Sequence, residues 1–298
     1  MAHFFVSVIV PTYNRNNRLR QTLEHVLRQD YPRFEVVVVD QSEDHDHETA
    51  AYLSSISEQI RYCPLQVPNL PAARNVGISQ SRGDIVVFFD DDLDIPRDTL
   101  SRIAEMFSNP ELWGATGRIE FTEKSRERTC AAASFESQKP VKVTNFLGGF
   151  MSFRRALFSR IGLFDEWIGR QPLASGEDFE FTLRAAQGGY SLYKDPSIAV
   201  IHPGREPGGC EHTSWRPNEL RRLQMRLSSY AYVKNRGGPS VASWVRALWR
   251  CHRAWVLNWD GLCHPIRTCS GYPTFLRMLK QGIIAAQTSH VSSLELPQ

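Results

Sequence analysis

The sequence predicts an α/β protein: a doubly wound, mixed sheet with a ligand site at the carboxyl ends of its strands, plus a helical C-terminal appendage. Three observations predict it. Ile85-Val86-Val87-Phe88-Phe89 runs straight into Asp90-Asp91-Asp92. Five β-branched and aromatic residues are too few for a helix and read as a strand buried on both faces, as in mostly parallel sheets covered by helices. Upstream of it, apolar runs alternate with helical patterns in the order β-α-β-α-β-α-β. Three of these strands end at Tyr13, Asp40 and Asp92. Open α/β sheets bind ligands just beyond such strand ends, and this convergence suits a nucleotide.

Phe4 to Val10 is the first buried strand, ending at the polar Pro11-Thr12-Tyr13-Asn14. Leu19, Leu23, Val26 and Leu27 recur at helical spacing, so a helix spans Asn17 to Gln29. Phe34 to Val39 is a second buried strand, ending at Asp40. In the acidic loop from Gln41 to Glu48, His45-Asp46-His47 could bind metal but reads more simply as solvated. A helix over Glu48 to Ser57 leads to a short strand near Ile60 to Cys63. Pro71 suits the first turn of the next helix, which carries Arg74 early and ends by Gly83.

Beyond the acidic triplet, Pro96 to Phe107 is a helix with Leu100, Ile103 and Phe107 inward, and Gly114 to Thr122 is a strand. Glu123 to Pro140 is polar and poorly patterned, a loop able to move. Gly148-Gly149, inside the apolar context of Asn145 to Arg154, marks backbone passing close to a ligand. Ala156 to Ile161 is a short helix. Gly176-Glu177-Asp178 opens a longer one that runs to Ala186 and closes at Gly188-Gly189. Tyr190 to Tyr193 and Ile198 to Ile201 are two late strands, the second leading into His202. The GREPGG stretch divides a domain over 1–204 from a region over 205–298. In that region Trp244, Ala247, Leu248, Cys251 and Trp255 share one helix face, and Arg246, Arg250 and Arg253 the other. Such a helix suits either a membrane surface or packing on the first domain.

Composition narrows the class. The 298 residues are 42 % hydrophobic and 22 % charged, as in a globular protein, with a net charge of +3. From Arg205 onward 13 Lys/Arg face 5 Asp/Glu, so the basic excess lies in the tail and the first 204 residues are mildly acidic. Six scattered cysteines without a CxxC pair argue against structural zinc and suit a reducing compartment. The start lacks the basic n-region of a signal peptide, and no run approaches the ~20 apolar residues of a membrane span. A cytoplasmic protein is expected, at most peripheral on the inner face of the membrane, with no nucleic-acid partner.

Two acidic groups carry chemistry. Three adjacent Asp side chains repel one another unless a cation offsets them, and a hard divalent ion is the natural one. Alone, the triplet would fit an acidic surface turn as well. Glu177 and Asp178 open a helix whose positive end stabilises a carboxylate, so an ionised base is expected there. Alone, both would pass as capping acids.

Together these residues form a pattern. VSVIVPTYNR, EVVVVDQSED, NLPAARNVGI, GDIVVFFDDDLD, GGFMSFRR, GLFDE, GEDFEFTLR and IAVIHP follow one another from about Val6 to His202. In that order they resemble the family 2 glycosyltransferases, inverting, bacterial-type sugar transferases with a GT-A fold. The resemblance implies a nucleoside diphosphate sugar donor, UDP- or dTDP-linked, and a saccharide or lipid-linked acceptor. It implies that Mg²⁺ or Mn²⁺ assists the leaving diphosphate. Asp90 to Asp92 correspond to the family's DXD motif: Asp92 a metal ligand, Asp90 facing ribose or sugar, Asp91 free to touch nothing. His202 stands where relatives place a metal-binding His. Pro11, Thr12 and Tyr13 would line the base pocket, and Asp40 would accept the imide hydrogen bond of uracil or thymine. Arg74 matches an Arg near the nucleotide, Asp178 the catalytic base, and Glu177 a positioning acid. Gly148 and Gly149 would lie against sugar or acceptor. Gln41 and Ser42 replace the Asp and Gly common after the base-reading Asp, so the turn there is open.

Rival readings fit less well. A nucleotidyltransferase would need a Gly-rich basic loop in place of PTYNRNN, and a dehydrogenase a GxGxxG after a strand. A glycoside hydrolase would use paired carboxylates but no diphosphate site. A non-catalytic nucleotide-sugar binder would not need Asp92 and Asp178 intact.

Overall fold

The computed structural model describes residues 4–122, 139–146, 148–169 and 176–204. The expected loop (save its last two residues) and the whole C-terminal appendage lie outside them. The elements, in order, are β1 (Val6–Thr12), α1 (Asn17–Leu27), β2 (Phe34–Asp40), α2 (His47–Ser55), β3 (Ile60–Pro64), α3 (Leu70–Gln80), β4 (Ile85–Phe89), α4 (Thr99–Met106), β5 (Leu112–Phe121), β6 (Val141–Val143), β7 (Phe150–Arg154), α5 (Ala156–Ile161), α6 (Glu166–Gly169), α7 (Glu177–Gln187) and β8 (Ser191–His202).

One sheet holds all eight strands in the order β3-β2-β1-β4-β7-β5-β8-β6. β1, β2, β3 and β4 pair in parallel, and the antiparallel β7 turns the sheet mixed beyond β4. Every residue of β1 and β4 is buried, as strands covered on both faces must be. Successive side chains alternate between two cores. Val8, Val10, Val87 and Phe89 face the core with α1 and α4, whereas Ile9, Val86 and Phe88 face the core with α3, α5 and α7. The chain leaves β1 toward β2 on one side and β4 lies on the other. The sheet's switch point, and the crevice it opens, therefore sits beyond the ends of β1 and β4.

Two features position the site. Phe164 stacks on Phe181 of α7 at 4.4 Å between centroids, and Phe153 and Phe158 pack on Phe181 at 5.0 and 5.3 Å. This aromatic cluster holds the start of α7 against the sheet. Asp94 and Ile201 exchange two backbone hydrogen bonds, of 2.8 and 2.9 Å, which tie the acidic loop after β4 to the end of β8.

The structure corrects two sequence expectations. The late strands are one continuous β8, because Asp195-Pro196-Ser197 is absorbed as an irregularity in its pairing with β5 rather than making a turn. β6 was not foreseen, since three residues are too few for a periodic signal.

Candidate active site

The acidic motif is held from three sides. Thr12 Oγ1 at the end of β1 donates to Asp91 Oδ2 at 2.6 Å. Asp91 is thus engaged, not idle as the middle position was expected to be. Arg15 Nη2 donates to Asp92 Oδ2 at 3.0 Å, and its Nε lies 3.6 Å from Asp91 Oδ1. His202 Nε2 lies 3.4 Å from the same Asp92 oxygen. Gly204 N–H donates to His202 Nδ1 at 3.3 Å, so the ring proton of the neutral form sits on Nε2, toward Asp92. Burial alone would raise the Asp92 carboxyl, but His202 and Arg15 outweigh it and hold it below its ordinary value. The hydrogen bond to Asp92 in turn holds His202 above the usual imidazole range. Burial, reinforced by neighbouring Asp92, pushes Asp91 up to about 7. The protein around Asp90 pushes it upward too, by burial against the pull of Arg74, although 38 % of its side chain meets solvent and tempers the shift.

The second half of the site is built on α3 and α7. Asn69 caps α3 by accepting from Ala72 N–H at 3.0 Å, and Pro71 occupies the first turn. Arg74 then points inward, 1 % exposed, and donates to Glu177 Oε1 at 2.5 Å and to Gly148 O at 3.3 Å. It lies 3.6 Å from Asp90. Arg74 thereby bridges the acidic motif and the start of α7. Among the described residues Glu177 Oε2 and Arg74 Nε, both buried, meet no hydrogen-bond partner. Asp178 accepts from its neighbour Phe179 N–H at 2.7 Å. Burial and then Glu177 push its carboxyl up to about 7, against Arg74 and the backbone N–H groups of Phe179 and Gly148. The helix's positive end was expected to keep this base ionised; burial beside a second carboxylate outweighs it.

Gly148 and Gly149 separate the two halves. A Cβ on Gly148 would lie 3.2 Å from Asp178 Oδ2, and one on Gly149 3.2 Å from Asp90 Oδ2. Asp90 N–H donates to Gly149 O at 3.0 Å, which fixes that passage. The two carboxylates thus stand on either side of one dipeptide with almost no room for side chains between them.

The base side of the cleft is different. A cavity of about 490 Å³ is lined by Tyr13, Asn14, Asn16, Gln41, Glu43, Asp44, Gln66 and Pro68. Pro11 and Thr12, expected there, are buried within β1. Asp40 is 1 % exposed. Its Oδ1 accepts from Ser42 N–H at 2.9 Å, and its Oδ2 meets His45 Nε2 at 2.5 Å and Tyr62 Oη at 2.8 Å. In this arrangement both oxygens of Asp40 are engaged by protein donors. The unusual turn residues explain the loop. Gln41 Nε2 donates to Thr12 O and Gln41 Oε1 accepts from Asn69 N–H, while Ser42 Oγ accepts from Asn14 N–H. Asp46 caps α2 through Thr49 N–H at 2.7 Å. Sequence reasoning missed Tyr62, and it gives Arg15 no role although Arg15 closes the PTYNR stretch; it weighs His45 only for metal or solvent, not as a partner of Asp40.

The family model described as glycosyl transferase family 2 matches residues 7–162, just over half of the chain. The chain belongs to glycosyl transferase family 2. As a member of that family it is a glycosyltransferase. It is 30 % identical over 213 residues to glycosyltransferase AglE of Haloferax volcanii, covering 68 % of each chain. Among solved structures it is similar to S. aureus TarS 1-349 in complex with UDP-GlcNAc, with a TM-score of 0.66 at 22 % identity over 95 % of this chain and 81 % of TarS. It is also similar to the mannosyltransferase PcManGT from Pyrobaculum calidifontis in complex with GDP-Man and Mn²⁺, with a TM-score of 0.58 at 20 % identity over 98 % and 78 % of the two chains. At such identities the likeness shows the GT-A fold shared with family 2. Among the described residues no helix is long and apolar enough to cross a membrane.

Proposed function

We propose that the chain transfers a sugar, with inversion, from a uridine or thymidine diphosphate donor to a hydroxyl of a saccharide or lipid-linked acceptor. The observation that carries this is the Gly148-Gly149 passage. It sets Asp178 on one side and Asp90 on the other, as a displacement with base and leaving group on different elements requires. Asp178 removes the proton of the acceptor hydroxyl as the new bond forms. Its carboxyl, pushed up to about 7, is matched to operation near neutral pH. Glu177, anchored by Arg74, keeps Asp178 in place and leaves one buried oxygen free to receive a sugar or acceptor hydroxyl. The cavity beside Tyr13 takes the base, and the ring of Tyr13 is available for stacking.

Asp92 and His202 fit a divalent cation, Mg²⁺ or Mn²⁺. Asp92 Oδ2 and His202 Nε2 lie 3.4 Å apart, and a carboxylate with an imidazole would be a donor pair suited to such an ion. Ligation asks the His202 proton to move to Nδ1, at the cost of a long contact with Gly204. Among the described residues no group of three or more His, Cys, Asp or Glu side chains could hold a metal alone. This suits an ion whose remaining ligands are substrate phosphates and water. When bound, such an ion stabilises the departing diphosphate.

The test is nucleotide release from a panel of UDP-, dTDP- and GDP-sugars with Mg²⁺ or Mn²⁺, with and without EDTA. Release that EDTA and Asp92→Ala each abolish is expected. Full activity in chelator removes the cation from this reading, and no release from any donor with a range of acceptors removes the reading itself.

A further inference from the structure

Arg15 occupies the carboxylate oxygen that a divalent cation would need. Its Nη2 donates to Asp92 Oδ2, the same oxygen that faces His202 Nε2. The placement is built into the backbone. Asn14 adopts φ 52°, the one positive-φ residue other than glycine among the described residues, and its N–H is held by Ser42 Oγ at 2.8 Å. A left-handed residue at that point folds the chain back, so that Arg15, its side chain only 11 % exposed, lies over the acidic motif. The motif beneath is fixed: Thr12 pins Asp91, and the Asp94–Ile201 bridge pins the loop. The movable partner is therefore the long Arg15 side chain.

We propose that Arg15 and the divalent cation compete for Asp92, and that the incoming diphosphate decides the contest by drawing the Arg15 guanidinium onto its phosphate oxygens. Two cations cannot share one carboxylate oxygen at close range without strong repulsion. Binding the ion displaces Arg15, and a guanidinium displaced beside a diphosphate finds a bidentate acceptor there. Cation and diphosphate then each raise the affinity for the other, by a coupling that runs through one side chain and is reciprocal. Arg15 is a competitor of the cation when the donor is absent and a binding residue for the donor when it is present. The inference rests on the proposed donor class.

The test is Mn²⁺ binding, read by calorimetry and by the free-ion electron paramagnetic resonance signal, with and without UDP. Wild type is expected to bind Mn²⁺ weakly alone and about tenfold more tightly with UDP, within the usual range of such couplings. Arg15→Gln is expected to bind Mn²⁺ alone several-fold more tightly than wild type, with most of the UDP enhancement gone. Arg15→Lys, which keeps the charge but not the fork, should fall between, and it serves if the Gln variant melts early. Unchanged Mn²⁺ affinity in Arg15→Gln, or an undiminished UDP enhancement, overturns the competition while leaving the donor reading intact. Failure of wild type to bind UDP, dTDP or GDP at any Mn²⁺ concentration would instead sink the donor reading.

Discussion

Asp40 and Asp178 both sit at the edge of the cleft, and the sequence pattern assigns both to substrate. Their surroundings differ completely. Asp40 has three protein donors on its two oxygens and is 1 % exposed. Asp178 is buried beside Glu177, with backbone donors only, and pushed up to about 7. A carboxylate with protein donors on both oxygens braces the loop around it; one buried beside another acid is poised to exchange a proton.

The largest effect is expected at Asp178. Asp178→Asn should lower transfer by ~10²–10⁴-fold, the scale of a lost acid–base group, while UDP binding by calorimetry survives. Near-normal turnover in that variant, with loss in Glu177→Gln, would move the base to Glu177. The pH dependence has a definite sign. Only the ionised base works, so kcat/KM should fall tenfold per pH unit below about 7 and level off above it. Because the folded-state value lies above the unfolded one, the stability linked to this proton is complete below the unfolded carboxyl's value and is lost as pH rises through about 7. Asp178→Asn should remove its share of that slope in urea titrations and leave the share of Asp91, which is pushed up to about 7 as well.

Next comes Arg74, which joins the two halves. Arg74→Met strands Glu177 in a buried site, and breaking such a pair costs about 3–5 kcal/mol; a fall in the urea midpoint checks it. The double variant Arg74→Met/Glu177→Gln should recover part of the loss. A smaller effect is expected at Asp40. Asp40→Asn should cost about 1–3 kcal/mol by unsettling Ser42, His45 and Tyr62, with the preference among UDP, CDP and GDP little changed. Loss of base preference at unaltered stability would show that Asp40 reads the base after all and dissolve the contrast with Asp178.

The contrast also shows what was legible. β1, β2 and β4 declare themselves because strands covered on both faces must be apolar throughout, and α1 and α4 because one face only is buried. The acidic triplet could be placed because it follows directly from the end of β4, and Glu177-Asp178 because they open α7. The partners of these acids could not be placed. Arg74 could be assigned to the nucleotide only through the resemblance, and its buried pairing was not legible, since nothing in its own turn reveals the Glu177 that comes 103 residues later. Arg15 belongs to a polar turn, and its approach to Asp92 depends on a backbone dihedral at Asn14 that no pattern encodes. His45 lies in a loop that looks solvated and closes over Asp40. The charge of three adjacent Asp residues pointed to a cation, and the sequence could not show that Arg15 also brings a positive charge to them across space.

The backbone bridge between Asp94 and Ile201 has a mechanical meaning. It lies two residues after Asp92 and one before His202, so the two side chains are mounted on the same rivet. Any flexing of the sheet that shifts the end of β8 carries the acidic loop with it, and the spacing between carboxylate and imidazole is preserved while their common frame moves. The site can travel without changing its gauge, and whatever adjusts within it has to be a side chain.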